Sequence, residues 1–479
     1  MAHIDTLKRA RILATIGPAT SDPAMLEKVI RAGVNACRLN FSHGSFEDRV
    51  EQVKNIRLIE KKLNRHIPIV QDLQGPKIRL GQLKDDMKYT IHRDDELGLT
   101  YGIEHDGGNN LPSQYDLSDK CLPGDSIYLF DGKIRTIVQR IDGKTVWVKA
   151  VNGGSVISRK AINLPDMRGG DAPVLTEKDL TDLEWSFDKD FDYTALSFVH
   201  HADDVRKLRE IIRSHGSDRK IIVKLETKAG VDPENLEAII RLADGVMVAR
   251  GDLGIEVPQE YIPGIQRRIE AGPEVVPVVE REIIRLCQKH CKLCIVATQM
   301  LDSMVDNPEP TRAEVNDVAT TYIEGADAVM LSDETAMGKY PVEAVSIMAK
   351  TLRYAQQHIG VYDLYSRNPV DEKSGAIADA AVVMADEVEA DAIIVESNGS
   401  SLTRSISIQR PIMPILPVVP TDRMANRLSL LYGVRAFTSP DGKVDTLLND
   451  LMTTNFFGDT KAKVVLATSD GVRLLDLSR

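Results

Sequence analysis

Lys224 and Glu226 stand two residues apart in the apolar run IIVKLE (221–226). In a strand, residues i and i+2 face the same side, so both point into one space. Asp252 follows a second run, in Ala-Arg-Gly-Asp-Leu-Gly. Two carboxylates from adjacent strands make a hard-oxygen site that suits Mg²⁺ and leaves positions for water and substrate. The plainer reading is an internal salt bridge from Lys224 to either acid. Gly251 and Gly254 flank Asp252 and allow close backbone approach by a carboxylate or phosphate; a simple strand-to-helix turn would use the same glycines. Arg38, Asn40 and Ser42 alternate onto one face, and the Arg38 guanidinium can fork onto a phosphate. His43 beside them is either a nucleotide contact or a loop histidine. Asp72 ends a further run, and Lys77 and Arg79 follow it. Thr298 and Ser332 each end a run, with Glu334 two residues later. Their hydroxyls can hold a carboxylate, pass a proton through water, or simply bond backbone. Gathered cations with a divalent metal are what phosphoryl transfer needs.

The elements that must position these groups are eight short apolar runs, at 12–17, 36–41, 67–73, 193–199, 221–226, 245–251, 293–299 and 328–334. Near-continuous apolar strands belong to a parallel sheet buried on both faces. Helix-length segments between most of them make repeated βα units, and eight such units can close a (β/α)8 TIM barrel. Barrel enzymes do their chemistry at the C-terminal strand ends, where these polar residues lie. Asp22-Pro23 starts a helix that Gly33 ends; Ser45 precedes a helix with Val50, Val53, Ile56, Ile59 and Leu63 on one face; Thr311 and Glu314 form a capping box.

One gap, from Leu73 to Tyr193, is far longer than a βα connection needs. Residues 74–170 therefore read as an inserted small antiparallel β domain, with Asp131-Gly132 and Asp142-Gly143 as hairpin turns. It is placed as a hinged lid over the barrel mouth. The barrel occupies 1–73 and 171–345. Residues 346–479 form a separate doubly wound α/β domain, with strands at 392–396, 413–418, 434–437 and 463–469.

The chain has 479 residues and a net charge of −11, which argues against nonspecific nucleic-acid binding but not against a local anion site. No apolar stretch is long enough to cross a membrane, the first residues lack the core of a secretion signal, and an odd cysteine count of five suits a reducing cytoplasm. Cys287, Cys291 and Cys294 have the spacing of an iron–sulfur ligand triplet. They fall at the N-terminal end of the barrel, away from the expected site, and read as small packing residues.

The stretches TIGPAT, RLNFSHG, DLQGPKIRLG, KAINLPD, KLE, MVARGDLGIEVP, ATQMLDSM, NPEPTRAEVNDVA and AVMLSDETAMGKYPVEAV run in family order through nearly all of 11–345. They resemble the pyruvate kinase family; the C-terminal domain matches in pattern. The resemblance implies a barrel, a β-barrel lid and a C-terminal domain, assembled as a cytoplasmic homotetramer. It implies phosphoryl transfer from phosphoenolpyruvate to ADP, giving pyruvate and ATP. Glu226 and Asp252 would bind Mg²⁺, with Mn²⁺ as a substitute. Lys224 would neutralise the phosphoryl group in flight, Arg38 would hold it, and Gly251, Asp252 and Thr298 would seat the substrate carboxylate. Asn40, His43, Arg79 and Lys160 would face the nucleotide. Thr298, with water near Ser332 and Glu334, would protonate the enolate.

Two departures from the family matter. Many members hold K⁺ at positions matching Asn40, Ser42, Asp72 and residue 73, near a glutamate matching position 77. Here residue 73 is leucine and position 77 is lysine, so the Lys77 ammonium is expected to replace the monovalent cation and remove the K⁺ requirement. The loop that binds a phosphorylated effector in relatives corresponds to Ser397, Asn398, Gly399, Ser400, Ser401, Leu402 and Thr403. It keeps glycine and hydroxyls, but Leu402 replaces a hydroxyl and the loop has no basic residue, which leaves an effector undecided. Two other classes stay in view: a metal-assisted lyase or aldolase on a similar barrel, which would not need His43, Arg79 and Lys160, and a non-catalytic binding protein, which degenerate catalytic positions would mark.

Overall fold

The computed structural model describes residues 7–130, 132–165, 174–257, 275–361, 372–396, 399–440, 444–458 and 461–478. Eight parallel strands close a barrel: Arg11–Thr15, Ala36–Asn40, Ile69–Asp72, Tyr193–Leu196, Lys220–Leu225, Gly245–Ala249, Leu293–Ala297 and Ala328–Leu331. They are called the first to eighth strands below. Six lie within an apolar run, and the first and fifth begin one residue before theirs, at Arg11 and Lys220. The first strand pairs with the eighth, Arg11 opposite Ala328, and with the second, Leu13 opposite Ala36. The runs are continuously apolar because both faces are covered. Leu13, Val70, Tyr193, Ile222, Met247, Ile295 and Met330 fill the interior. Their neighbours Ile12, Ile69, Ile221, Val246, Val296 and Val329 meet the surrounding helices.

The local signals behave as their chemistry dictates. Asp22 accepts the Met25 N–H and caps helix Pro23–Ala32, and Gly33 closes it at φ 145°. Ser45 and Asp48 form a capping box on Phe46–Leu63, as Thr311 and Glu314 do on Arg312–Ile323. Val50 departs from expectation: it is 48% exposed, and the inward face is Arg49, Gln52, Asn55, Ile56 and Ile59. Arg49 bonds back to the carbonyls of Asn40 and His43. That anchor fixes the helix by its polar residues and turns Val50 outward.

Between the third and fourth strands lies a β insertion. Its six-stranded sheet runs Ile162–Asn163, Ser126–Leu129, Ile134–Asp142, Thr145–Ala150, Glu96–Tyr101, Asn110–Ser113, with Tyr89–Ile91 and Gly154–Val156 paired separately. The sheet is a half-barrel, and it is not wholly antiparallel. Glu96–Tyr101 and Asn110–Ser113 run parallel, because the loop between them carries the chain back before pairing rather than turning it as a hairpin. Asp142-Gly143 turns the Ile134–Asp142/Thr145–Ala150 hairpin, with Gly143 at φ 56°. Asp131 and the boundary at 170 lie outside the described residues.

The C-terminal sheet has strand order Phe437–Thr438, Ile415–Val419, Ala392–Glu396, Lys461–Thr468, Gly471–Ser478. Alternate residues face two helical layers: Ile393 and Val395 pack with Leu402, Ile406 and Ala425, while Ile394 and Leu416 pack with Leu447 and Leu451. This is the doubly wound arrangement. The last strand, antiparallel to its neighbour, was not among the four expected. The domain sits against the barrel's N-terminal end. Arg410 there pairs with Asp327 at 2.8 Å, and Tyr193 donates its hydroxyl to the Arg427 carbonyl at 2.7 Å. Among the described residues no helix is long and apolar enough to cross a membrane.

Candidate active site

Lys224 stands near the C-terminal end of the fifth strand, and its ammonium is the hub of the mouth. It donates to Ser197 Oγ at 2.9 Å and lies 3.4 Å from Glu226 and 3.7 Å from Asp72. Burial presses this ammonium down, but Asp72 and Glu226 outweigh burial and hold it above the ordinary lysine value. Lys224 is thus a fixed positive charge.

Glu226 is fully buried. Its Oε1 accepts the Phe198 N–H at 2.8 Å, while Oε2 has no hydrogen-bond partner. Burial, opposed by Lys224 and reinforced by Asp252, raises its carboxyl to about 7. Asp72 repeats the pattern. Its Oδ2 takes Arg38 Nε at 2.6 Å and a second Arg38 nitrogen at 2.5 Å, while Oδ1 is buried without a hydrogen bond. Thr15 Oγ1 accepts the remaining arm of Arg38 at 2.9 Å, so Arg38 is aimed from the first strand as well as the third. Buried polar atoms without partners are rare and call for a ligand or a strain to explain them. Here two such oxygens belong to carboxylates around one lysine.

The sixth strand runs into helix Arg250–Glu256, which carries Gly251 and Asp252. The Gly251 N–H donates to Thr298 Oγ1 at 2.8 Å, and that hydroxyl donates to the Ala297 carbonyl at 2.6 Å. Thr298 and Gln299 both have positive φ, 69° and 55°. Arg250 braces this unusual backbone: it bonds the Thr298 carbonyl at 3.0 Å and forks onto Asp317 at 2.7 and 2.9 Å. Strain of this kind persists only where surrounding contacts over-determine it. Ser332 Oγ is buried and unpartnered. Both oxygens of Glu334 are engaged by backbone, the Ser332 N–H at 2.7 Å and the Leu301 N–H at 3.1 Å. Glu334 therefore pins two loops, one through each carboxylate oxygen.

The cationic rim is built from barrel and insertion together. His43 is held below the ordinary histidine value by burial first, then by Arg79, Lys77 and Arg49. Arg79 bonds the Arg159 carbonyl at 3.0 Å, and Lys160 lies 4.8 Å from the centre of the Phe130 ring. Asn40 Oδ1 accepts the Ser42 N–H at 3.1 Å. The Lys77 ammonium has no hydrogen bond or ion pair among the described residues, while the Lys77 backbone N–H donates to the Gly75 carbonyl at 2.8 Å. It lines a 440 Å³ cavity between barrel and insertion with Phe198 and Thr227. The insertion reaches the helix that bears Asp252, through Asn163 Nδ2 to Glu256 Oε1 at 3.1 Å. Of residues 399–403, Ser400 and Ser401 line a separate cavity and Thr403 is buried with an unpartnered hydroxyl. Ser397 and Asn398 lie outside the described residues.

Sequence reading missed Ser197, Phe198, Thr15 and Arg250. Ser197 and Phe198 follow the fourth strand just as the named residues follow theirs, so the signal was present. Thr15 ends the first strand and carried the same signal. Among the described residues no cluster of three or more His, Cys, Asp or Glu could hold a metal, and Cys287, Cys291 and Cys294 are all buried.

The chain matches two family models, described as the pyruvate kinase barrel domain, over residues 7–345, and the pyruvate kinase alpha/beta domain, over 375–470. A pyruvate kinase of Agrobacterium vitis is 39% identical over 440 residues, covering 91% of this chain and 87% of that one. Pyruvate kinase 1 of Saccharomyces cerevisiae is 38% identical over 468 residues, with 95% and 90% covered. The crystal structure of a pyruvate kinase from Cryptosporidium parvum superposes with a TM-score of 0.87 at 28% identity, covering 98% and 97% of the two chains.

Proposed function

The chain belongs to the pyruvate kinase family, and on that premise we propose that it moves the phosphoryl group of phosphoenolpyruvate onto ADP, giving pyruvate and ATP, with Mg²⁺ and without K⁺. The observation that carries this reading is the buried Lys224, flanked by Asp72 Oδ1 and Glu226 Oε2, which accept no hydrogen bond and meet only its ammonium, at 3.7 and 3.4 Å.

The donor set suits a hard divalent cation. Glu226 offers Oε2, and Asp252 is close enough to raise the Glu226 carboxyl. Glu226 and Asp252 would hold Mg²⁺, which when bound supplies charge neutralisation for a carboxylate, an enolate oxygen and a phosphoryl oxygen. The remaining work falls to the chain. Arg38, locked by Asp72 and Thr15, presents a preset fork to the phosphoryl group. As a β-phosphate oxygen of ADP attacks phosphorus and the bond to the enol oxygen breaks, negative charge grows on that enol oxygen. Lys224 is already charged and already placed to meet it, so little reorganisation is required. Gly251 and Thr298 seat the substrate carboxylate.

The enolate then takes a proton at its methylene carbon. The hydroxyls of Thr298 and Ser332 line that path, and Glu334 acts as a positioning residue for Ser332. Neutral His43, with Arg79, Lys160 and Asn40, receives the nucleotide phosphates across the mouth, and the insertion closes over them. Lys77 supplies the positive charge that a bound K⁺ would bring. A lyase reading leaves this cationic rim without a purpose.

The test is ATP formation from phosphoenolpyruvate and ADP with Mg²⁺, in buffer freed of monovalent activators and then with K⁺ added. Full turnover in both is expected. Activity only with K⁺ would overturn the role of Lys77, and inactivity in both would overturn the reaction.

A further inference from the structure

Arg250 is buried, and its guanidinium is held on two edges. One edge, Nε and Nη2, straddles the Thr298 carbonyl at 3.3 and 3.0 Å, and Nη2 also reaches the Gln299 carbonyl at 3.2 Å. The adjoining edge, Nη1 and Nη2, meets the two oxygens of Asp317 at 2.9 and 2.7 Å. Nη1 lies 3.5 Å from Glu280 Oε2 as well. Two-pronged contacts on adjoining edges fix the plane of a guanidinium, where a single one would let it hinge. Burial works against the Arg250 charge, and Asp317 and Glu280 more than restore it. The two acids stand on helices outside the barrel. Glu280 is on helix Val275–Lys289, which leads into the seventh strand, and Asp317 is on helix Arg312–Ile323, which leads into the eighth. Burial raises the Glu280 carboxyl to about 7 against the pull of Arg250, with Asp317 pushing the same way as burial. Asp317 is therefore the main counter-charge of Arg250, and Glu280 the outer one.

The turn they brace is one that the chain would not adopt unaided. Thr298 is β-branched and stands at φ 69°, a region such residues avoid, with Gln299 at 55° behind it. Relaxation of either residue would carry Thr298 Oγ1 away from the Gly251 N–H, which it now accepts at 2.8 Å. We propose that Asp317, with Glu280 behind it, is a positioning residue for the substrate carboxylate: through Arg250 it keeps the Thr298–Gln299 turn left-handed, and so keeps the Thr298 hydroxyl and the Gly251 N–H together as one seat. The inference rests on the reading of Gly251 and Thr298 as the place of that carboxylate. Among the described residues no hydrogen bond or ion pair links Arg250, Asp317 or Glu280 to His43, Arg79 or Lys160. The network therefore serves the carboxylate substrate and not the nucleotide.

Steady-state kinetics of the full chain separates the two substrates. Asp317→Ala is expected to raise KM for phosphoenolpyruvate about fivefold, the scale of one hydrogen bond. KM for ADP should stay within about twofold of the parent. Asp317→Asn keeps the shape and one acceptor oxygen, so a smaller rise in the same KM provides the reading should the alanine variant fail to fold. A rise in both KM values together would overturn the proposal. So would a loss of stability with both KM values unmoved, which is all that a merely structural pair would produce. A parent enzyme without turnover would overturn the reaction instead, and the seat is then read by calorimetric titration with pyruvate and Mg²⁺. Binding to the parent that weakens in Asp317→Asn supports the role of Asp317; binding that is equal in the two, or absent from the parent, overturns it.

Discussion

The Asp327–Arg410 pair at the floor of this barrel and the Asp72–Lys224–Glu226 group at its mouth both bury charge, and they satisfy it to different degrees. At the floor, Asp327 accepts Arg410 at 2.8 Å and the Tyr432 N–H at 3.0 Å on one oxygen, and the Cys294 N–H at 2.9 Å on the other. Arg410 spends its remaining arms on the carbonyls of Gly325 and Ser407. Nothing is left over. At the mouth, Glu226 and Asp72 each keep one buried oxygen without a hydrogen bond. A saturated buried pair holds a structure together, and an unsaturated one holds a place for something that arrives later.

The largest expected effect lies at the mouth. Lys224→Met should lower kcat by about a thousandfold, the scale set by removing one preorganised charge from a transition state, with circular dichroism unchanged. A loss smaller than about tenfold would separate Lys224 from the chemistry. Next is the floor, where Arg410→Met leaves Asp327 unpaired. It should cost about 3 kcal/mol in denaturant unfolding, while kcat per folded molecule stays put. A fall in kcat without a fall in stability would erase the contrast.

Glu226→Gln sharpens the contrast further. Raised to about 7, Glu226 keeps in the folded chain a proton that the unfolded chain releases near the ordinary value of 4.5. The metal-free fold therefore weakens as pH rises between those values and levels off above about 7. Gln cannot ionise, so at pH 8 the metal-free variant should be more stable than the parent by about 1–3 kcal/mol. Equal melting temperatures at pH 8 would show that Glu226 is not strained by burial. The smallest effect is expected from Thr298→Ala, which removes the acceptor of the Gly251 N–H and should lower kcat/KM about tenfold.

The barrel was legible because a doubly buried strand has to be apolar almost throughout, and the polar residue that ends each run is conspicuous. Lys224, Glu226, Asp72 and Arg38 were read in that way and do meet around one point. What escaped was whatever depends on neighbours distant in sequence. Ser197 is a hydroxyl among many until Lys224 is seen to reach it, and Arg250 is one more surface-type residue until it clasps the Thr298 carbonyl. Val50 was misplaced because an apolar count cannot register the polar anchor of Arg49. The parallel pair in the insertion and the final strand, Gly471–Ser478, were missed because short alternating segments do not announce their partners.

The closure of the barrel also bears on how the chain is made. Arg11 pairs with Ala328, and Val70 pairs with Tyr193 across the whole insertion. During synthesis the first strand must wait, with an open edge, until more than two thirds of the polypeptide has left the ribosome. The insertion, whose hydrophobic cluster is self-contained, has no such wait. Contacts this distant are slow to form and leave apolar edges unpaired meanwhile. The nascent protein is therefore most in need of a chaperone while its small middle domain is already finished and its largest domain is still an open sheet.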